Sequence, residues 1–147
     1  MIAFDQSPDA EKTQEVYKYQ REGWRGEFYN IEFHPKFREN GYIYIVAELR
    51  DNKPREERYQ MMHVLRYTML PGDQPRIDPA SETSIIEWES HGHSGGGIVF
   101  GSDGMLYITC GDGTSGSDTN NTGQDLTDLQ GAIVRVDVNG ADPGKPY

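Results

Sequence analysis

Two stretches of this chain follow one pattern. Ile31-Glu32-Phe33-His34-Pro35 passes through Asn40-Gly41 into Tyr42-Ile43-Tyr44-Ile45. Ile98-Val99-Phe100-Gly101-Ser102 passes through Asp103-Gly104 into Met105-Leu106-Tyr107-Ile108. In both, a short apolar segment meets a two-residue turn signal and a segment of β-branched and aromatic residues follows, which is the pattern of a hairpin. Phe33 and Phe100 stand 67 positions apart, and a repeat of that size limits the chain to a repeat architecture. The first unit contains four strand candidates, 31–33, 42–49, 62–70 and 84–88; the second contains three, 98–100, 105–110 and 132–138. Four short antiparallel strands per repeat make one blade of a β-propeller. The expected fold is therefore all-β: residues 1–27 as an N-terminal segment placed to complete a preceding blade, 28–90 as a first blade, and 91–147 as an incomplete second.

A propeller closes with about 4–8 blades. Two alone leave apolar faces uncovered and strand edges unpaired. Either the chain is a piece of a longer one or several copies assemble into a ring. Pro143-Gly144-Lys145-Pro146-Tyr147 does not read as the finish of a blade, which favours the piece. An independent two-sheet β domain is the alternative.

Composition narrows the function. Lys plus Arg number 14 and Asp plus Glu 24, a net charge of −10. A nucleic-acid module would show a basic face, and an anionic membrane would repel this chain. Apolar runs are too short for a spanning helix, and the first residues show no secretory leader. The single cysteine, Cys110, excludes an internal disulfide framework and a Cys-based zinc site; it reads as packed. The 17 Gly, 8 Pro and 16 aromatic residues describe a turn-rich β protein, not a disordered tail.

Local signals fill in the rest. Ser7-Pro8-Asp9-Ala10-Glu11 has the composition of a helix start. Asp51 to Arg58 reads as a solvated loop, Gly111 to Gly123 as a polar loop, and Gln124 to Leu129 as one helical turn. Gly95-Gly96-Gly97 precedes a strand, so it is not a dinucleotide fingerprint, which needs a helix after the glycines. His34 reads as structural and His63 as partly buried. His91 and His93 form a His-x-His pair with no third metal ligand indicated. The 111–121 loop offers oxygen ligands without EF-hand spacing, leaving turn chemistry as its default reading and calcium as an alternative. Asn120-Asn121-Thr122 is a glycosylation sequon that matters only in a secreted eukaryotic setting.

His93-Ser94-Gly95-Gly96-Gly97-Ile98-Val99-Phe100-Gly101-Ser102-Asp103-Gly104-Met105-Leu106-Tyr107-Ile108-Thr109-Cys110-Gly111-Asp112-Gly113 resembles the H-N-G-G-x-L-x-F-G-P-D-G-x-L-Y-I-x-x-G-D-G stretch of glucose/sorbosone dehydrogenases. Ile31 to Tyr44 is similar to their I-A-F-H-P-x-F-x-x-N-G-x-x-Y segment, and Leu129 to Gly140 to L-x-G-K-I-L-R-I-D-V-D-G. The three motifs keep the family's order. The resemblance implies a six-bladed propeller, pyrroloquinoline quinone (PQQ) and calcium as cofactors, and oxidation of a sugar or alcohol hydroxyl. It also implies a periplasmic or extracellular location. His93 aligns with the family's catalytic histidine, a general base suited to proton transfer near neutral pH. Asp112 and Gln124 fall where substrate contacts are expected. Gly95 to Gly97 would let backbone approach a flat cofactor. The family's further cofactor contacts fall in later blades, so the quinone and calcium ligands are expected largely outside this chain, and the chain alone is expected to be inactive.

Three positions depart from the family pattern. Residues 24–30 lack its glutamine and G-L-L-G, Gly92 stands where prominent members carry aspartate, and Ser94 stands where Asn or Gln is common. With the incomplete ring, they keep a second reading open, a non-catalytic propeller segment that binds or scaffolds. A calcium-dependent propeller hydrolase or lactonase is a third.

Overall fold

The computed structural model describes residues 15–140 and Tyr147. The helix start read at Ser7–Glu11 lies outside them. Among the described residues, seven strands form two antiparallel sheets. The first is a meander of β1 (Trp24–Phe33), β2 (Tyr42–Asp51), β3 (Gln60–Leu70) and β4 (Arg76–Glu89); the second contains β5 (Gly95–Phe100), β6 (Leu106–Cys110) and β7 (Ile133–Val136). The only α-helix among the described residues is one turn, α1 (Phe37–Asn40). It ends at Gly41, whose φ of 68° is the left-handed conformation glycine adopts without steric cost.

β2 carries the architecture. Its alternate residues point to opposite faces, and both faces are buried. Tyr44 and Val46 join Met62, Val64, Ile86 and Trp88 against Ile98, Leu106, Ile108, Cys110 and Val136 of the second sheet. Ile43, Ile45, Ala47 and Leu49 join Leu65, Tyr67 and Ile77 on the far face, where Val16, Tyr17, Tyr19 and Trp24 pack over part of it. The rest of that face is an apolar groove of about 480 Å³ that includes Phe28, Ile31, Phe33 and Met69. Strand faces left open beside a packed neighbour are what an unclosed propeller presents.

Two strands run further than the sequence patterns predict. β1 begins at Trp24, not Ile31, because Phe28 to Asn30 contains a bulge that breaks the alternation. β4 begins at Arg76, not Ser84. Its register skips between Asp78 and Thr83, and Pro79 falls inside that bulge on the outer strand of the sheet, where a missing N–H leaves no ladder partner unpaired. The helical turn expected over 124–129 is instead a 3₁₀ turn at Thr122–Gln124. Its Gly123 N–H donates to the Asp118 carboxylate at 3.1 Å. Arg55 to Glu57 are exposed, as the solvated-loop reading expects, and Cys110 is buried.

Antiparallel order sorts the connections between two ends of the sheets. The β2–β3 loop, the β4–β5 loop that carries His93 and the β6–β7 loop that carries Asp112 share one end. The β1–β2, β3–β4 and β5–β6 turns share the other.

Candidate functional site

His93 lies on the five-residue link between the last strand of the first sheet and the first strand of the second. The link is pressed against residues 111–114 as an irregular ladder. His91 N–H donates to Gly113 C=O (2.9 Å), His93 N–H to Thr114 C=O (2.6 Å), Gly113 N–H to His93 C=O (3.1 Å) and Gly111 N–H to Ser94 C=O (3.2 Å). Glycine is required on both sides. A Cβ on Gly92 would stand 2.1 Å from the Thr114 oxygen, and one on Gly111 1.8 Å from the His93 oxygen. The departure at Gly92 thus has a local cause: the two loops touch backbone to backbone, with no room for an aspartate there.

The ladder brings two of the three expected site residues together. His93 Nδ1 stands 3.3 Å from Asp112 Oδ1. That oxygen also accepts from the Thr114 N–H (2.9 Å) and hydroxyl (3.0 Å). The Thr114 backbone N–H, then its hydroxyl and His93, hold the Asp112 carboxyl below the usual carboxylate range. The His93 side chain is 57% exposed, and its Nε2 has no protein partner among the described residues. This is the geometry of an oriented imidazole: one nitrogen faces a carboxylate and the other faces solvent. Asp112, expected among the substrate contacts, thus lies against His93. Gln124 does not join the pair. It is exposed, and its side chain turns back to the Gly123 carbonyl (3.1 Å). Thr122, two residues earlier, touches the site by donating to the Asp112 carbonyl at 2.6 Å.

The glycine run does not form a cofactor cradle. Gly95 and Gly96 have φ of 73° and 101°. A Cβ on Gly95 would meet Gly111 N at 2.4 Å, one on Gly96 would press on Val46 and Met62, and one on Gly97 would meet Thr109 Oγ1 at 2.9 Å. All three serve packing of chain on chain. The residues around His93 also lack what an acidic, planar quinone needs. Several cations at this end are engaged on the first sheet: Arg50 with Glu27 and Glu48, Lys53 with Asp51, Arg25 with Asn52 and Arg58 with Gln60; Arg55 is exposed in the β2–β3 loop. Among the described residues no three His, Cys, Asp or Glu side chains gather as metal ligands. His91 pairs with Glu89 (2.8 Å) rather than with His93. The polar 111–121 loop is closed by local hydrogen bonds, the Asp118 side chain accepting from the Gly123 N–H and its carbonyl from the Asn121 N–H. By themselves, then, these residues do not fit PQQ or calcium.

A model of the glucose/sorbosone dehydrogenase family matches residues 3–146. The chain belongs to that family. Among solved structures it is similar to a glucose dehydrogenase, with a TM-score of 0.61 and 23% identity over 81% of this chain and 33% of that one. It is also similar to the PQQ-bound form of aldose sugar dehydrogenase from Streptomyces coelicolor, with a TM-score of 0.55 and 25% identity over 90% of this chain and 36% of that one. Hedgehog-interacting protein from Mus musculus is 30% identical over 124 residues, 80% of this chain and 17% of that protein. The two sheets are thus a fragment of a β-propeller of the dehydrogenase type, and the chain spans about a third of the structures and under a fifth of the curated relative that it resembles.

What sequence reasoning missed at the site is the contact between the two loops. Gly92, Gly111 and Gly113 read singly as turn residues. Only their pairing across 19 and 21 positions shows that they seat His93 on Asp112.

Proposed function

We propose that this chain is part of a quinone-dependent sugar or aldose dehydrogenase, in which His93 accepts the proton of a substrate hydroxyl while the neighbouring carbon gives up hydride. The His93–Asp112 pair carries this reading. A carboxylate on Nδ1 favours the tautomer with its lone pair on Nε2, the exposed nitrogen, and stabilises the imidazolium after proton transfer. The hydride acceptor would be the family's PQQ, with calcium. Because the described residues do not fit that group, this chain is assigned only the proton-accepting part, and the cofactor contacts are assigned to other blades. Two sheets matched over 33% of a neighbour's chain are what a six-bladed ring would give. We also place the parent protein outside the cytoplasm, with small sugars or alcohols as substrates and an electron acceptor still to be identified. Among the described residues no helix is long and apolar enough to cross a membrane.

The test is dye-linked oxidation of aldoses by the full-length protein reconstituted with the quinone and calcium. Wild type turns over, and His93→Ala lowers kcat by about 10²–10⁴-fold; an unchanged rate removes the assignment. Absence of turnover with every aldose and alcohol tried favours a second reading, a non-catalytic propeller that binds a partner. The 30% identity to a protein named for its interaction with Hedgehog supports that reading.

A further inference from the structure

Beneath His93 lies a pair of buried hydroxyls that the reaction does not touch. Ser90 is fully buried and Ser94 is 6% exposed. Their Oγ atoms are 2.7 Å apart, and Ser94 Oγ donates to the Gly92 carbonyl at 2.7 Å. A hydroxyl has one proton. Since the carbonyl can only accept, Ser94 gives its proton to Gly92 and Ser90 must donate to Ser94. The direction of the chain is fixed: Ser90 to Ser94 to the Gly92 carbonyl. The Ser94 carbonyl is held from the other side by Trp88 Nε1–H at 3.0 Å and by Gly111 N–H at 3.2 Å.

The Gly92 carbonyl belongs to the peptide plane whose nitrogen is that of His93. Fixing that plane aims the His93 N–H at the Thr114 carbonyl, 2.6 Å away, and sets where the imidazole stands relative to Asp112. We propose that Ser94, supported by Ser90, is a positioning residue for His93. It holds the 92–93 peptide so that Nδ1 stays on Asp112 and Nε2 stays outward. This rests on the reading of His93 as the base. It also gives the serine, where the family commonly has Asn or Gln, a function of its own: a side chain short enough to bond back onto its own turn.

Ser94→Ala removes the bond to Gly92 and strands the Ser90 hydroxyl. Ser94→Thr keeps the hydroxyl. Ser90→Ala leaves the bond to Gly92 and removes only its support. In the reconstituted full-length protein, Ser94→Ala should lower kcat per quinone-loaded molecule by on the order of tenfold with KM within about twofold. Ser90→Ala should fall less, and Ser94→Thr should recover most of the rate. The second readout needs no cofactor. The ring ¹⁵N resonances of His93 in the unloaded protein report the tautomer, and in Ser94→Ala they should move toward a mixture of the two. A folded Ser94→Ala with unchanged kcat and unchanged ring resonances overturns the inference. Wild type that is inactive while its His93 resonances shift on Ser94→Ala overturns the reading of His93 as a base and leaves the positioning standing. Wild type that is active with resonances and kcat indifferent to Ser94 does the reverse.

Discussion

The two ends of the sheets each carry a histidine, and the two are held in opposite ways. His34, in the β1–β2 turn, is 5% exposed. Its Nδ1 accepts from the Lys36 N–H (3.0 Å) and the Asn40 side-chain amide (2.8 Å), so Nε2 is the protonated nitrogen that donates to Asn139 Oδ1 at 2.9 Å. Its ring meets Phe100 edge-on, with centroids 5.2 Å apart. Each nitrogen is occupied, and the side chain bridges the first sheet to the segment after β7. His93 has one carboxylate, a nitrogen with no partner among the described residues, and an exposed ring. The same residue type is therefore tied down as a rivet at one end and left with an exposed ring at the other, and the number of bonds on the ring separates the two. An imidazole with both nitrogens bonded to fixed groups has none left to offer a ligand.

The largest way to break this contrast is to lift the His93 loop off its support. Gly111→Ala places a methyl 1.8 Å from the His93 oxygen, where backbone rather than a flexible side chain must move. We expect destabilisation of about 3 kcal/mol, read by denaturant melting, with loss of whatever function His93 has. The next largest acts at the other end. His34→Ala removes the buried ring that ties Asn139 to the 36–40 turn and opens a cavity beside Phe100, a cost of about 2 kcal/mol. His93→Ala in the same assay should change stability by less than about 0.5 kcal/mol. Equal losses for the two would erase the distinction.

The smallest effect sharpens the contrast through a third histidine. His63 is buried in β3, with Tyr59 Oη 3.0 Å from its Nε2 and Glu87 3.4 Å from its Nδ1. Burial pushes its imidazole below the ordinary value, against the opposing pull of Glu87 and Glu82. The unfolded chain therefore takes up a proton near pH 6.5 that the fold resists. Stability from this group is complete above that pH, declines as the pH falls toward the lowered folded value, and levels off below it. His63→Gln should flatten that part of the stability–pH curve, and a slope unchanged in the variant would assign it to other groups.

The centres of the strands were legible because their side chains alternate. The 132–138 segment shows it plainly, with Val134, Val136 and Val138 on one side of the chain. The missing halves of β1 and β4 were illegible for one shared reason. A bulge inserts residues that belong to neither face, so the two-residue period fails at Tyr29 and again across Pro79 to Glu82. At the candidate site, His93 was singled out by the motif it opens. Its contact with Asp112, 19 residues later, and the serine chain below it were not. Both depend on two loops meeting, and no local pattern encodes the distance between loops.

β2 gives alternate residues to two separate interfaces, Tyr44 and Val46 to one and Ile43, Ile45 and Ala47 to the other. The strand behaves as a ribbon with two independent readers. A side-chain change on one side meets different neighbours from a change on the other, so each side can be refitted with its own partner. A propeller assembled from such ribbons can refit one seam at a time while every other joint keeps its shape.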